Sequence, residues 1–254
     1  MNKPSYLVNL TALTVFLSGE IFIFLSQAAY LAAAVANAAI IFSIYRMVKK
    51  SGLETDRWYN FLILPFVFLN SSFAYLLVLE NPFFSHLLVI FSSAIIYYYF
   101  HSIFLFHFSP LQYKSFQIEN LSSYGGFLSV FFLSSALFAI ESFLNWPVWT
   151  IILILTFFFL LVIYQVNWAH KINLYDSAVH IFVDTLILVE LAWTLSFLPL
   201  RFDILGLQLA AAYYIIVGLT KHYLQGTLEG KIIKTYLGVG IFSIIAILLS
   251  ARWI

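Results

Sequence analysis

Three ionisable side chains, His180, Asp184 and Glu190, lie within an otherwise apolar stretch at residues 178–193, AVHIFVDTLILVELAW. His180 and Asp184 are four residues apart, so on a helix they share one face and can form a hydrogen bond. Ionisable groups in a membrane helix are costly, usually face the protein interior and often mark proton or ion pathways. The spacing therefore predicts a proton or cation relay, with Asp184 as its carboxylate and His180 as its partner.

Other ionisable groups in apolar stretches extend this pattern into layers. Glu190 follows Asp184 by six residues, which is about 120° round a helix and about 9 Å along it, so it is predicted to face a different neighbour. With the orientation argued below, Glu20 and Glu190 fall in the outer half of the membrane, and His101 and His180 fall in the inner half. The relay candidates, all expected to point into the helix bundle, are Asp184, His180, Glu190, Glu20 and His101.

The polarity of this stretch also predicts where its helix lies. Leu, Ile, Val and Phe each favour membrane insertion by about 0.3–0.6 kcal/mol, whereas one central Asp opposes it by about 3 kcal/mol. With Glu190 and His180 added, the balance is close to zero. A helix that inserts so poorly by itself is predicted to be central in the bundle, with its polar face against other polar groups.

Two other functions fit the same residues. His101, His180 and Asp184 could bind a metal ion, or act as acid and base in an intramembrane enzyme on a lipid or isoprenoid substrate. Alternatively, the polar groups could be hydrogen-bonding contacts between helices in a structural subunit of a membrane complex, or in an oligomer. The sequence favours the transporter, but it identifies neither a substrate nor a cofactor.

The composition shows why a membrane is the expected environment. Of 254 residues, 63% are hydrophobic and only 9% are charged, whereas a typical soluble domain has about 25% charged residues. The partner is therefore predicted to be the lipid bilayer, with the chain as a multi-pass protein of the cell membrane. A net charge of +1 gives no argument for nucleic acid. The absence of cysteine excludes disulfides, thiolate nucleophiles and cysteine-ligated metals.

The hydropathy pattern predicts an all-α bundle with about nine membrane-spanning helices, because a span needs about 20 mostly apolar residues. Most boundaries are marked by proline or by paired glycines. Residues 5–48 are nearly continuous, and we predict a tight hairpin at Ser26-Gln27, since one helix of that length would be about twice as long as a bilayer requires. The predicted helices are 5–26, 28–48, 58–79, 84–108, 122–143, 147–166, 176–199, 204–225 and 231–252.

The positive charges predict that the N-terminus is cytoplasmic. Cytoplasmic loops carry an excess of Lys and Arg, and nine helices with the N-terminus inside leave only Arg201 and Arg252 on the outer side. Adding or removing one helix destroys this bias. The residues that fall inside are Lys3, Arg46, Lys49, Lys50, Arg57, Lys114, Lys171, Lys221, Lys231 and Lys234.

Short matches suggest a tandem repeat within this single transmembrane domain, residues 1–254. "LLVLE" in the third helix resembles "LILVE" in the seventh, and the tyrosine pairs 98–99 and 213–214 each precede a histidine at the same spacing. The predicted units are residues 5–108 and 122–225, followed by a ninth helix at 231–252. Because four helices return the chain to its starting side, the two copies would share one orientation.

Overall fold

The computed structural model describes residues 5–51 and 58–250. Over these residues the chain folds into nine α-helices joined by short turns, with no β-strand, which confirms the predicted all-α architecture. The helices are α1 (Ser5–Phe24), α2 (Ala29–Ser51), α3 (Asn60–Leu76), α4 (Pro82–Phe108), α5 (Gln117–Leu144), α6 (Val148–Ala169), α7 (Leu174–Ser196), α8 (Phe202–Leu224) and α9 (Gly230–Ser250).

Eight of the helices in the described part are long and apolar enough to cross a membrane, so the protein is a polytopic helical membrane bundle. The exception is α3, which has 17 residues and is therefore about 25 Å long at 1.5 Å per residue. The sequence predicted a longer third helix over 58–79. Trp58 and Tyr59 instead form a turn before α3, and residues 77–78 form a turn after it.

Local signals explain the helix boundaries. The nearly continuous stretch 5–48 is divided as predicted, because α1 ends at Phe24 and a single 3-10 turn, Ser26–Ala28, leads into α2. The Asn81 side chain accepts a hydrogen bond from the Phe83 N–H, and Pro82 occupies the first position of α4. Asn173 caps α7 in the same way, through the Tyr175 N–H. Asparagine caps satisfy backbone donors that a helix N-terminus leaves free.

The chain divides into two compact units, Met1–Gly125 and Gly126–Ile254. In the first unit, α1 packs against α2 and α4, and α2 packs against α3 and α4. Small and polar residues make these contacts close. A Cβ atom on Gly19 would lie 2.6 Å from a Val89 methyl group. Asn37 and Asn70 join α2 to α3 by exchanging two amide hydrogen bonds, of 3.2 and 3.0 Å.

In the second unit, α7 packs against α6 and α8, and α8 also packs against α9. The prediction that α7 is central is wrong. Only 22% of its membrane-crossing part is buried, compared with 44% for α8 and 50% for α5. Of His180, Asp184 and Glu190, only Asp184 is fully buried. One packed face is enough to shield this carboxylate from lipid, because α8 supplies its hydrogen-bond donor.

The orientation in the membrane and the tandem repeat stay predictions. Lys3, Arg57 and Arg252, which contribute to the charge bias, lie outside the described residues. The remaining basic residues that were assigned to the cytoplasmic side lie in or beside the ends of α2, α6, α8 and α9, and in the connection between α4 and α5.

Candidate functional site

Asp184 lies on the one buried face of α7, with 4% of its surface exposed. The buried residues of this helix recur every three or four positions, as the 3.6-residue helical period requires. Because Asp184 falls in register with the apolar members of this stripe, the fold carries its carboxylate into the packed region. The stripe consists of Ser177, Ile181, Asp184, Thr185, Leu188 and Ala192.

The partner of Asp184 is Thr220 on α8. The Thr220 hydroxyl donates a hydrogen bond of 3.0 Å to Asp184 Oδ1. Within the described residues, Asp184 Oδ2 is buried and has no hydrogen-bond partner. An ionised carboxylate can accept about four hydrogen bonds, so most of its capacity is unused. This carboxylate is therefore oriented through one oxygen while the other is available to a proton, a cation or a donor group.

The predicted hydrogen bond between His180 and Asp184 is not formed. His180 is half-buried; its Nδ1 lies 3.4 Å from the Asp176 carbonyl oxygen one turn earlier, and its ring packs on Tyr223 with centroids 5.6 Å apart. The two side chains do share one side of α7, and His180 is close enough for an electrostatic interaction with Asp184. Thr220 forms the bond instead because Asp184 faces α8.

Tyr213 extends the polar site along α8. It is seven residues before Thr220, hence on the same side of the helix, and it interacts electrostatically with Asp184. Its hydroxyl is buried without a hydrogen-bond partner in the described structure and lies beside Gly126, where a Cβ atom would be 2.8 Å away. Asp184, Thr220 and Tyr213 are named here the α7–α8 polar cluster. Sequence analysis did not identify Thr220 or Tyr213 as site residues, because their relation to Asp184 depends on the register between two helices.

Further buried polar side chains in the second unit lack hydrogen bonds among the described residues. An unsatisfied buried group costs about 1–3 kcal/mol, and native proteins contain few of them. In this unit, the side chains concerned lie on α5, α6, α7 and α8. They are Ser135, Gln165, Asn167, Thr185 and Gln208.

Glu190 does not point into the bundle, and this prediction is wrong. The residue is exposed, on an outward face that also carries Val183, Leu186 and Ile187. The predicted rotation of about 120° away from Asp184 is consistent with this position. Because of this rotation, Glu190 lies outside the single packed face of α7 and does not contact a second neighbouring helix through another packed face.

Glu20 belongs to the first unit, where α1 packs against α4. Its Oε2 lies 2.9 Å from Nδ1 of His86, and the two side chains are 22% and 36% exposed. Glu20 therefore faces a neighbouring helix, as expected. His86, which follows the start of α4 by four residues, was not among the residues predicted from the sequence. No sequence pattern links two positions that are 66 residues apart.

His101 is also in the first unit, whereas His180 and Asp184 are in the second. It is half-buried and stacks on Tyr97, with ring centroids 5.9 Å apart and planes inclined by 7°. Within the described residues, no three His, Asp or Glu side chains are grouped so that they could hold a metal ion. Metal binding by His101, His180 and Asp184 therefore stays a prediction from the sequence.

Comparison with known proteins gives a family but no function. No curated protein and no solved structure matches the chain. The family described as "Protein of unknown function (DUF5656)" matches residues 5–250, which include all nine helices. Because this match covers nearly the whole sequence, the chain belongs to the DUF5656 family.

Proposed function

We propose that the protein is a membrane transporter in which Asp184 reversibly binds a proton or a small cation. The observation that carries this proposal is the buried Asp184 carboxylate, which has one oxygen bonded to Thr220 and the other without a partner in the described residues. A structural carboxylate is stabilised best when both oxygens are satisfied. A carboxylate that must release its ion requires an oxygen that the protein does not already occupy.

Each member of the α7–α8 polar cluster has a chemical role in this proposal. The Thr220 hydroxyl holds the carboxylate in one orientation by donating to Asp184 Oδ1. The Tyr213 hydroxyl is able to donate or accept a proton. His180 precedes Asp184 by one helical turn, about 6 Å along the axis, and it is only half-buried. It therefore provides the step between the buried carboxylate and the end of α7 predicted to be cytoplasmic.

A structural role for the cluster is the second candidate, and the same hydrogen bond supports it. Thr220 and Asp184 connect α8 to α7, and hydrogen bonds between membrane helices contribute about 0.6 kcal/mol on average. In this case Asp184 would stabilise the helix pair without moving an ion. The two functions predict different results when the carboxylate is replaced by an amide of the same shape. Transport predicts a loss of ion flux, whereas a structural role predicts only a change in stability.

The test compares Asp184→Asn with Asp176→Asn, which makes the same substitution on the same helix at an exposed residue. Purified protein in liposomes that enclose a pH-sensitive dye is given a proton gradient, with Na⁺, K⁺ or choline as the external cation. We expect the wild-type protein and Asp176→Asn to dissipate the gradient at the same rate. Asp184→Asn should lower that rate at least tenfold, because an amide cannot bind and release the ion.

Two results decide against transport by Asp184. One is a proton or cation flux in Asp184→Asn that equals that of wild type. The other is the absence of any protein-dependent flux in wild type under all three cation conditions. If Asp184→Asn instead lowers only the stability of the protein, the structural role is supported.

A further inference from the structure

A second polar site lies in the same unit, at the end where α5 and α7 finish and α8 begins. It is a cavity of about 300 Å³, near the lower limit of the volumes that small-molecule sites occupy. Its walls are mainly apolar, with one carboxylate and two hydroxyl groups among them. Its lining includes Phe138, Glu141, Ser142, Ser196, Leu198, Leu200 and Leu205.

Glu141 is the one ionisable side chain in the lining of this cavity. It is half-buried, and within the described part of the chain it makes no hydrogen bond or ion pair. Arg201, which lies between the lining residues Leu200 and Phe202 in the sequence, is engaged by Asp203 through two hydrogen bonds of 2.8 Å, from Nε and Nη2 to the two carboxylate oxygens. The Glu141 carboxylate is thus available to a ligand, and the Arg201 guanidinium is already paired with Asp203.

The helix ends around the cavity strengthen its preference for positive charge. Glu141 and Ser142 are in the last turn of α5, and Ser196 is the last residue of α7. A helix C-terminus carries a partial negative charge of about half an elementary charge. The opposing N-terminus of α8 is neutralised locally by Asp203, which accepts the Ile204 N–H at 3.0 Å. One carboxylate and two helix C-termini therefore favour a cation.

From this geometry we infer that the Glu141 cavity binds an organic ammonium ion with a small apolar body. The ammonium group would pair with the Glu141 carboxylate and donate to the Ser142 and Ser196 hydroxyls. The apolar body would contact Phe138, Leu200 and Leu205. Two sources share this chemistry, namely a free amine and the headgroup of an aminophospholipid. The inference concerns a different site from Asp184 and does not depend on the transport proposal.

The experiment measures binding of radiolabelled phenethylammonium to the purified full-length protein by equilibrium dialysis, in nanodiscs of phosphatidylcholine. 2-Phenylethanol serves as the neutral isostere. We expect saturable binding of phenethylammonium and at least tenfold weaker binding of 2-phenylethanol. Glu141→Gln should weaken phenethylammonium binding at least tenfold, while Glu229→Gln, the same change in an exposed loop of the same unit, should leave it unchanged. Leu198→Trp, which fills part of the cavity from its lining, should also weaken binding.

Nanodiscs of phosphatidylethanolamine identify the source of the ammonium group. If phosphatidylethanolamine competes with phenethylammonium in wild type, and this competition is lost in Glu141→Gln, the natural ligand is the lipid headgroup. If phenethylammonium binds with the same affinity in both kinds of nanodisc, the natural ligand is a free amine. The inference is overturned if wild type shows no saturable binding, if Glu141→Gln binds as tightly as wild type, or if 2-phenylethanol binds equally well. Gel filtration of each variant establishes that it is folded before binding is measured.

Discussion

At the scale of single residues, the two carboxylates of α7 have opposite environments. Asp184 is buried and hydrogen-bonded to Thr220, while Glu190 is exposed among apolar side chains. The energetic cost of placing an ionised side chain in a membrane helix disfavours lipid exposure of both residues. Position on the helix circumference separates them, because only the Asp184 face of α7 is packed against other helices.

Replacement of Glu190 by leucine should stabilise the protein. The substitution removes a charged group from an outward apolar face, and we expect a gain of about 1–2 kcal/mol in the free energy of unfolding, since Glu190 is in the C-terminal half of α7 and not at its centre. Denaturation of Glu190→Leu in mixed detergent–SDS micelles measures this gain. A loss of stability would mean that Glu190 has a polar partner, such as another protein chain.

The pair Glu20–His86 should contribute a small but measurable coupling between α1 and α4. Both side chains are partly exposed, and such pairs contribute about 0.2–1 kcal/mol. A double-mutant cycle with Glu20→Ala and His86→Ala, in the same unfolding assay, isolates this energy. Additive single effects would show that the 2.9 Å contact has no net contribution.

At the scale of helices, close packing depends on small residues at a few positions. Membrane helices gain little from the hydrophobic effect when they associate, so their contacts rely on fit and on hydrogen bonds. In α8, Gly206 lies directly against Ser135 of α5, and a Cβ atom there would come within 2.8 Å of the Ser135 backbone nitrogen. The backbone cannot move aside as a flexible side chain could.

Gly206→Ala should therefore destabilise the protein by about 1–3 kcal/mol, the usual range for overpacking. Gly238→Ala is the matched control, because Gly238 is also within a helix and a Cβ atom there would have no neighbour within 4 Å. The control should be neutral or slightly stabilising, since alanine favours helix more than glycine does. Thermal unfolding of both variants in detergent tests this difference, and equal melting temperatures would contradict the packing argument.

At the scale of the whole molecule, the topology depends on whether α3 crosses the membrane. At 17 residues it is shorter than the hydrocarbon core of about 30 Å requires. The positive charges nevertheless agree with nine crossings. A short span is accommodated by local thinning of the bilayer, by snorkelling of flanking side chains or by oligomerisation.

Single-cysteine variants decide the topology, because the natural chain has no cysteine. In intact cells, a membrane-impermeant maleimide should label Asn81→Cys and Asn145→Cys but should label Ser115→Cys and Gly230→Cys only after the membrane is opened. Asn81 is decisive, since it follows α3 directly. If Asn81→Cys is protected while Ser115→Cys is labelled, α3 does not cross the membrane and the orientation predicted for every later helix is reversed.

The sequence by itself determined the class of the protein and most helix boundaries. Hydropathy reports the solvent in which a segment is stable, and proline, glycine and asparagine act on the backbone within a few residues. For these reasons the break between α1 and α2 and the caps of α4 and α7 follow from nearby residues. The expectation that ionisable groups in an apolar helix avoid lipid holds for Asp184 but not for Glu190.

The tertiary structure decided which groups meet. Thr220 reaches Asp184 across 36 positions of sequence, and His86 reaches Glu20 across 66. These contacts depend on the rotation and axial register of packed helices, which small residues such as Gly19 and Gly206 set through close approach. Spacing along one helix shows that His180 and Asp184 share a side, but it does not show that α8 supplies the Asp184 hydrogen bond or that Glu190 is left exposed.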